Sequence, residues 1–484
     1  MDRNTVVKGL FWVYLENIAA QVVSFIITII LARLLAPSLF GTIALVAVFI
    51  NVANVFVNTS FSSALIQKKD ADELDYNTMF WFNLGISILL YILLFFAAPT
   101  VAHYYNDESL TSILRVLAIS IPLCAFNSIQ VAYVSSHMIF KKTFYSHSGG
   151  ALLSGIVGVV LAYLGFGVWA LVWQRLTNVA FNTIILRLIV PWTPKFQFSS
   201  KRLWPMFTFG WRVLATGLMF TIYNEVRSLI IGKRYSTEDL GYYDRGWSFP
   251  KLIASNIDST VTRVLFPALA SEQDNSVRLM DKTRRAAKTS AYVMTPFLFL
   301  LAAMAEPLVN FLLGEKWLPC VPYLQIMCFV WWLQPTQTCT IQAIKSIGRS
   351  DIYLRLEILN KVVGVGLLLY AVFVMDSVFA IAVTMFAYEV FSIITYGIVS
   401  HHYIGYKLRF QFVDILVPMV IALISCALSN LTALLIHNNI VIICVYLVLG
   451  LSVYVLISEL FKVDAYLYVK NAALSIVKKK NQKG

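Results

Sequence analysis

Positive charge is unevenly distributed between the apolar stretches of this 484-residue chain, and that distribution constrains the fold most. We count fourteen apolar stretches of roughly 20 residues, the length that crosses a bilayer as a helix. These stretches lie near residues 10–32, 42–65, 77–98, 113–136, 144–165, 168–190, 206–231, 243–266, 289–313, 321–344, 352–374, 377–400, 412–435 and 439–461.

Every second gap between these stretches is rich in Lys and Arg. Cation-rich gaps include 278–288 and the C-terminal Lys478–Lys480, whereas the gaps at 103–108 and 437–439 hold neither residue type. A single miscounted span would put the alternation out of phase from that point on, and it stays in phase. The positive-inside rule therefore predicts a multi-pass protein with an even number of spans and both termini in the cytoplasm.

Composition agrees with a membrane protein, because 59% of the residues are hydrophobic and only 13% are charged. We attribute the net charge of +13 to cytoplasmic loops that face anionic lipid headgroups, and we expect no nucleic-acid partner. The six cysteines form no CxxC pair, so we expect neither disulfides nor a metal site.

The sequence also repeats itself. When the chain is aligned with its own second half, Leu31-Ala-Arg33 matches Ile231-Gly-Lys233 and Phe40-Gly41 matches Leu240-Gly241. The offset grows along the chain, until Val168-Trp-Ala170 matches Val378-Phe-Ala380. Because six spans are an even number, both copies have the same orientation. Parallel repeats of this kind form transporters whose site lies between the two halves.

The predicted fold class is thus an all-α integral membrane protein with 14 transmembrane helices. Two six-helix bundles with parallel repeats are followed by two extra C-terminal helices. The predicted domains are an N-terminal bundle at 1–195, a C-terminal bundle at 200–405, the two additional helices at 410–462 and a cytoplasmic basic tail at 463–484.

Charged residues inside predicted spans mark the candidate site, because a charge at the bilayer centre usually faces a wet cavity or a partner. Arg212, Tyr223 and Arg227 share one face of the seventh span, and the repeat aligns Lys251 and Asp258 with Asn51 and Asn58 of the second span. The candidate substrate-binding residues are Arg212, Arg227, Arg245, Lys251, Arg263, Asn17, Asn51, Asn58, Tyr223 and Asn256. The candidate coupling residues are the intramembrane acids Glu16, Glu225, Asp258 and Glu389.

Structural explanations compete with this interpretation. Arg227 and Arg245 could extend to the headgroups, a Lys251–Asp258 pair could be a structural salt bridge, and the amides could join helices. For binding, Arg and Lys suit phosphate, amides suit sugar hydroxyls and aromatic rings stack on sugars. Together these groups fit a lipid-linked glycan that carries phosphate.

Three stretches resemble motifs of one family. They are Ile30-Leu-Ala-Arg-Leu-Leu-Ala-Pro-Ser-Leu-Phe-Gly41, Leu240-Gly-Tyr-Tyr-Asp-Arg-Gly-Trp-Ser-Phe-Pro250 and Val264-Leu-Phe-Pro-Ala-Leu269. They resemble bacterial Wzx-type polysaccharide flippases, in the branch that exports colanic and teichuronic acids. These belong to the multidrug/oligosaccharidyl-lipid/polysaccharide exporter superfamily.

The resemblance implies that the chain flips oligosaccharide repeat units linked to undecaprenyl pyrophosphate across the bacterial cytoplasmic (inner) membrane, for cell-surface polysaccharide biosynthesis. It further implies alternating access coupled to a proton or sodium gradient, with no other cofactor. Spans 412–461 are candidates for holding the lipid tail. Membrane lipids, a polysaccharide polymerase and glycosyltransferases are candidate partners, and we expect a monomer.

Two other function classes compete with the flippase. A cation-coupled exporter of small molecules or drugs with the same fold would favour an anionic cavity, and the five intramembrane cations count against it. A membrane enzyme that polymerises or ligates glycans would need an outer loop large enough for a catalytic site. No outer gap is that long, so we expect a transporter and not an enzyme.

Overall fold

The computed structural model describes residues 3–58, 65, 71–273 and 275–481, and its regular secondary structure in these ranges is entirely helical. The first eight helices are α1 (Arg3–Leu34), α2 (Pro37–Asn58), α3 (Glu73–Tyr105), α4 (Ser109–Ala118), α5 (Ser120–Ser136), α6 (Lys141–Tyr163), α7 (Val168–Ile189) and α8 (Ser200–Arg234). The next six are α9 (Thr237–Ala270), α10 (Ser276–Ala303), α11 (Ala305–Leu312), α12 (Val321–Ser346), α13 (Ser350–Tyr370) and α14 (Val378–Ile404). The last four are α15 (Leu408–Ala433), α16 (Asn439–Val445), α17 (Leu451–Leu460) and α18 (Asp464–Asn481). A 3₁₀ helix at Glu315–Cys320 and π-helical turns at Ala371–Met375 and Tyr446–Gly450 connect some of them.

Local sequence explains several helix ends. Pro37 opens α2, where its missing N–H costs nothing. The Asp72 side chain caps α3 by accepting a hydrogen bond from the backbone N–H of Asp75 at 2.9 Å. The Asp75 side chain in turn accepts a hydrogen bond from the backbone N–H of Asp72. Gly405 ends α14 with a φ of 82°, a left-handed conformation that glycine adopts without strain.

Each of the fourteen predicted spans overlaps a helix. Within the described ranges, nine helical segments are long and apolar enough to cross a membrane. The other five predicted spans fall on α1, α7, α8, α9 and α12. In α1 the described residues include a shorter apolar helical stretch, Ile18–Leu34, and the other four helices are richer in polar and charged side chains. The chain is therefore a multi-pass helical membrane protein, and the total of fourteen spans stays a prediction.

Helix boundaries recur at the positions that the sequence repeat aligns. The break between α1 and α2 runs from Leu34 to Pro37, and its counterpart between α8 and α9 runs from Arg234 to Thr237. Near the end of each copy, α7 begins at Val168 and α14 begins at the matching Val378. The parallel arrangement of two six-helix bundles remains a prediction, because the order of helix ends does not test it.

The helices pack into two compact units, Met1–Gly241 and Tyr242–Gly484, called here the first and second units. Helix α8 packs in the first unit, against α2 and α3. The sequence repeat assigns the same helix to the C-terminal bundle at 200–405. The predicted domain boundaries describe repeat copies, and packing in one conformation does not test them.

The sequence predicts that residues 191–205, with Pro191, Pro194 and Pro205, connect the two bundles, and the part of this connector before α8 is held within the first unit. The indole of Trp81 donates to the carbonyl of Lys195 at 2.8 Å, and the Lys195 backbone N–H donates to Asn77 at 2.9 Å. Trp192 is buried against Tyr76 and Phe80. The predicted connector between the bundles is therefore anchored to α3 over this part of its length.

In the second unit, a buried ion pair attaches the C-terminal helices to the rest. Arg284 on α10 contacts both carboxylate oxygens of Asp414 on α15, at 2.8 and 3.2 Å. The hydroxyl of Tyr406 donates to the same carboxylate at 3.0 Å. A paired, hydrogen-bonded carboxylate avoids the cost of an isolated buried charge.

All six cysteines are free thiols.

Candidate functional site

The first unit joins a predicted substrate-binding residue to a predicted coupling residue. The Asn51 amide on α2 donates to a carboxylate oxygen of Glu225 on α8 at 2.9 Å. Glu225 is half-buried, and Asn51 remains exposed on its other side. A carboxylate that accepts a hydrogen bond from an amide can still take up a proton or a cation. The pair therefore has the chemistry that coupling requires.

A close crossing joins α2 to the start of α9, directly after the end of α8, and it uses two glycines. A Cβ atom on Gly41 would lie 1.6 Å from the Thr237 carbonyl oxygen, and one on Gly241 would lie 2.3 Å from the Pro37 carbonyl oxygen. The two glycines are equivalent positions of the sequence repeat, as are Pro37 and Thr237, so the contact is reciprocal. The crossing lies within the first unit, which includes the start of α9 as far as Gly241.

The far end of α8 is fastened to α3. The Tyr105 hydroxyl donates to the Leu229 carbonyl at 3.3 Å, and the Lys233 ammonium donates to the Tyr104 carbonyl while lying 4.3 Å from the centre of the Tyr104 ring. Together with the Asn51–Glu225 bond, these contacts hold the C-terminal part of α8, from Glu225 to Lys233.

Arg227 is buried against an aromatic side chain of its own helix. Its guanidinium lies 4.9 Å from the centre of the Tyr223 ring and donates to the Tyr223 hydroxyl at 3.2 Å. The four-residue spacing of this pair permits the contact. The structure thus brings together the predicted substrate-binding residues Tyr223 and Arg227. The Tyr223 ring and hydroxyl already provide partners for the Arg227 guanidinium.

Other predicted residues of the first unit are open to their surroundings. Arg212 and Asn58 are exposed, and their side chains form no hydrogen bond or ion pair with the part of the chain that the structure describes. The side chains of Glu16 and Asn17 lie outside the described set, as does that of Arg263 on α9.

The second unit holds the remaining candidates. The Arg245 guanidinium is buried and lies 5.5 Å from the centre of the Trp317 ring, whereas Lys251 is exposed. Asp258 is half-buried and faces the hydroxyl of Thr338 on α12.

Two further residues complete the predicted set in the second unit. The Asn256 amide donates to the Leu252 carbonyl of its own helix at 2.8 Å, so fewer of its hydrogen-bonding positions are open to a ligand. Glu389 is half-buried on α14.

Sequence reasoning missed an intramembrane ion pair in the second unit. The Lys361 ammonium lies 3.9 Å from a carboxylate oxygen of Glu357 and 3.2 Å from the Tyr388 hydroxyl. The Tyr396 hydroxyl donates to the other Glu357 oxygen at 2.9 Å. The signal was available, because an acid and a base four residues apart stand inside the predicted span 352–374.

The fold and these polar intramembrane groups together define a multi-pass helical transporter. The structure is similar to that of the lipid II flippase MurJ in its inward closed conformation, with a TM-score of 0.75. That alignment covers 95% of this chain and 99% of the other at 14% sequence identity, so it shows the fold alone.

Residues 30–322 match the polysaccharide biosynthesis protein family, and the chain belongs to that family. It is 22% identical over 370 residues to the succinoglycan biosynthesis transport protein ExoT of Rhizobium meliloti (strain 1021), in an alignment that covers 76% of this chain and 75% of ExoT. It is 25% identical over 306 residues to the teichuronic acid biosynthesis protein TuaB of Bacillus subtilis (strain 168), covering 62% of each. The chain thus spans less than two thirds of TuaB. The resemblance to polysaccharide flippases of the exporter superfamily is confirmed.

Proposed function

We propose that this protein flips lipid-linked oligosaccharide repeat units across the bacterial cytoplasmic membrane for the synthesis of a cell-surface polysaccharide. The family match and the roles of ExoT in succinoglycan transport and TuaB in teichuronic acid biosynthesis support this function. The fold shared with the MurJ lipid II flippase supports a lipid-linked cargo. The chain acts as a transporter and performs no chemistry on the glycan.

The observation that carries the proposal is the bond between Asn51 and Glu225. It joins an exposed amide, suited to a sugar hydroxyl, to an intramembrane carboxylate, suited to a proton or sodium ion. The carrier is undecaprenyl pyrophosphate, and the exposed cations Arg212 and Lys251 are its best-placed partners, because their charges are not used within the described chain.

Transport proceeds by alternating access, in which residues 1–195 rock against residues 200–400. The contacts between α8 and the helices α2 and α3 join these two segments, so they must break when the segments move apart. The Asn51–Glu225 bond is among them. Protonation of Glu225, or capture of a sodium ion, weakens that bond and so links the ion gradient to the movement.

Charge-removing variants test this function in cells. The gene is deleted from its host, and Arg212→Ala, Lys251→Ala and the double variant are compared with wild type for surface polysaccharide at equal membrane abundance. Lys407→Ala, an exposed cation in a predicted cytoplasmic gap, is the matched control.

Each charge-assisted hydrogen bond to phosphate is worth about 1.5–3 kcal/mol, so we expect roughly ten- to a hundredfold weaker cargo binding for each site variant. Normal export by the double variant contradicts the phosphate-binding role. If the wild-type gene restored drug resistance to the deletion strain but not surface polysaccharide, the small-molecule exporter would be favoured instead.

A further inference from the structure

A polar cavity of about 380 Å³ lies within the first unit, and its described lining includes none of the five cations singled out in the sequence. Helices α1, α2 and α7 supply its polar lining, and α4 and α5 close one side. The polar lining consists mainly of Ser24, Asn51, Asn54, Gln174, Arg175 and Asn178. Its size is at the lower end of the range for small-molecule pockets, about 300–1,000 Å³.

Helical spacing explains why these side chains converge. Asn51 and Asn54 are three residues apart on α2, and Gln174 and Asn178 are four apart on α7, so each pair occupies one helix face. Only tertiary packing brings the two faces together. The polar residues at 174–178 of α7 do not by themselves show which face of another helix lies opposite them.

Two of the amides are held by protein partners. Asn178 donates to the Ser154 hydroxyl at 3.1 Å and accepts from Asn182 at 3.3 Å. Asn51 donates to Glu225. These bonds fix the positions of two amide groups at the cavity wall before any ligand arrives.

Two other amides remain unsatisfied. The side-chain oxygen of Asn54 is buried and accepts no hydrogen bond, and the Gln174 side chain forms none, from or to any residue that the structure describes. Buried polar atoms normally find a partner, and leaving one unmade is costly. Both amides line the cavity, and the Gln174 side chain is only half-buried, so a group that enters the cavity can bond to them.

The lining selects the chemistry of that group. Amides and hydroxyls both donate and accept, as sugar hydroxyls do, and the Arg175 guanidinium can pair with a carboxylate. The described lining contains no carboxylate, which disfavours a metal ion or a cationic drug. A sugar, neutral or acidic, offers hydroxyls that can bond to the amides and hydroxyls of this lining.

We propose that this cavity is a recognition subsite for one sugar residue of the cargo. The inference rests on the proposed function and adds a glycan-reading site to it. Asn51 belongs both to the cavity and to the bond with Glu225, so a sugar hydroxyl that takes its amide competes with the carboxylate. Sugar recognition is thereby linked to the residue that couples transport to the ion gradient.

The test compares two ligands on the full-length protein in nanodiscs. One is undecaprenyl pyrophosphate carrying the host's own repeat unit, extracted from a strain that lacks this gene. The other is undecaprenyl pyrophosphate without sugar. The variants are Asn54→Ala, Gln174→Ala and the double, and the control is Thr177→Ala, whose hydroxyl bonds to the backbone of its own helix at 2.6 Å.

We expect each cavity variant to bind the glycan lipid about two- to tenfold more weakly, the ordinary worth of one neutral hydrogen bond, while the sugar-free lipid binds as to wild type. Unchanged binding of the sugar-free lipid also reports that the variant is folded. Free D-glucuronate or D-glucose should compete for the glycan lipid, and Arg175→Gln should weaken competition by glucuronate alone if the residue read is acidic.

Equal affinity of wild type and the double variant for the glycan lipid overturns the subsite and leaves the proposed function standing. An equal loss for both lipids also overturns it, because the effect would then be structural. If the wild-type protein itself does not distinguish the two lipids from a control phospholipid, the proposed function fails and the subsite with it.

Discussion

Replacing Gly41 by alanine tests the close crossing of α2 with the start of α9. The added Cβ would lie 1.6 Å from the Thr237 carbonyl oxygen, whereas real Cβ contacts under 3.0 Å are essentially never seen. The obstacle is backbone, which cannot rotate away as a side chain can, so the helices themselves must move apart. Overpacking of this kind costs about 1–3 kcal/mol, and the rigid obstacle favours the upper end.

The assay is thermal unfolding of the purified protein, together with surface polysaccharide at matched membrane abundance. Gly85→Ala is the control, because its Cβ would meet nothing within 4 Å, and alanine is favoured over glycine in a helix by roughly 0.5–1 kcal/mol. Gly41→Ala should lower the unfolding temperature and export, and Gly85→Ala should lower neither. A Gly41→Ala protein as stable as Gly85→Ala would refute the close crossing.

Three further perturbations address separate features. Glu225→Gln keeps the bond from the Asn51 amide but cannot ionise, so export should become independent of the ion gradient or stop; gradient-dependent export at the wild-type rate would contradict coupling through Glu225. Reporter fusions after His103 and His437 should read as external, and a cytoplasmic signal at either would break the predicted topology. The Lys288 ammonium lies 2.7 Å from Asp464 and lowers the pKa of that carboxyl. The pair therefore stabilises the attachment of α18 at pH values above the ordinary aspartate pKa of about 3.9, and this stabilisation is lost as the pH falls through the lowered pKa. Asp464 is largely exposed, so the pair is worth at most about 1 kcal/mol, and hydrogen exchange of α18 should rise in acid for wild type but not for Asp464→Asn.

Much of the fold could be predicted from the sequence because membrane helices are encoded locally. A run of apolar residues long enough to cross the bilayer must satisfy its own backbone hydrogen bonds, so it forms a helix wherever it stands. The apolar residues located these runs, the alternating charges of the gaps kept their count in phase, and every predicted span overlaps a helix. The sequence repeat recurs in the helix ends for the same reason, since turn residues such as Pro37 act locally.

Tertiary relationships could not be predicted in the same way. The packing of α8 against α2 and α3 joins residues far apart in the chain. The same holds for the crossing of α2 with the start of α9, where each of two glycines contacts a carbonyl in the other copy of the sequence repeat. The four-residue spacing of Tyr223 and Arg227 permits their contact, but it does not reveal that Arg227 turns toward the ring and becomes buried.

The cavity illustrates the same limit. Asn54 and Gln174 each share a helix face with another amide, and in the sequence such amides look like ordinary helix-joining groups. That the two faces line one cavity becomes visible only when α2 and α7 are seen side by side. Spacing along one helix shows which residues share a face, but it does not show which face of another helix lies opposite.

Flipping by the purified protein is the most direct test of the central claim. The protein is reconstituted in vesicles that carry the host's repeat unit on undecaprenyl pyrophosphate in both leaflets, and an external glycosidase reports the accessible fraction over time under an imposed proton or sodium gradient. The account predicts that wild type exposes the inner pool when a gradient is present and that Glu225→Gln does not respond to the gradient. An inner pool that stays protected in wild-type vesicles under both gradients would contradict it.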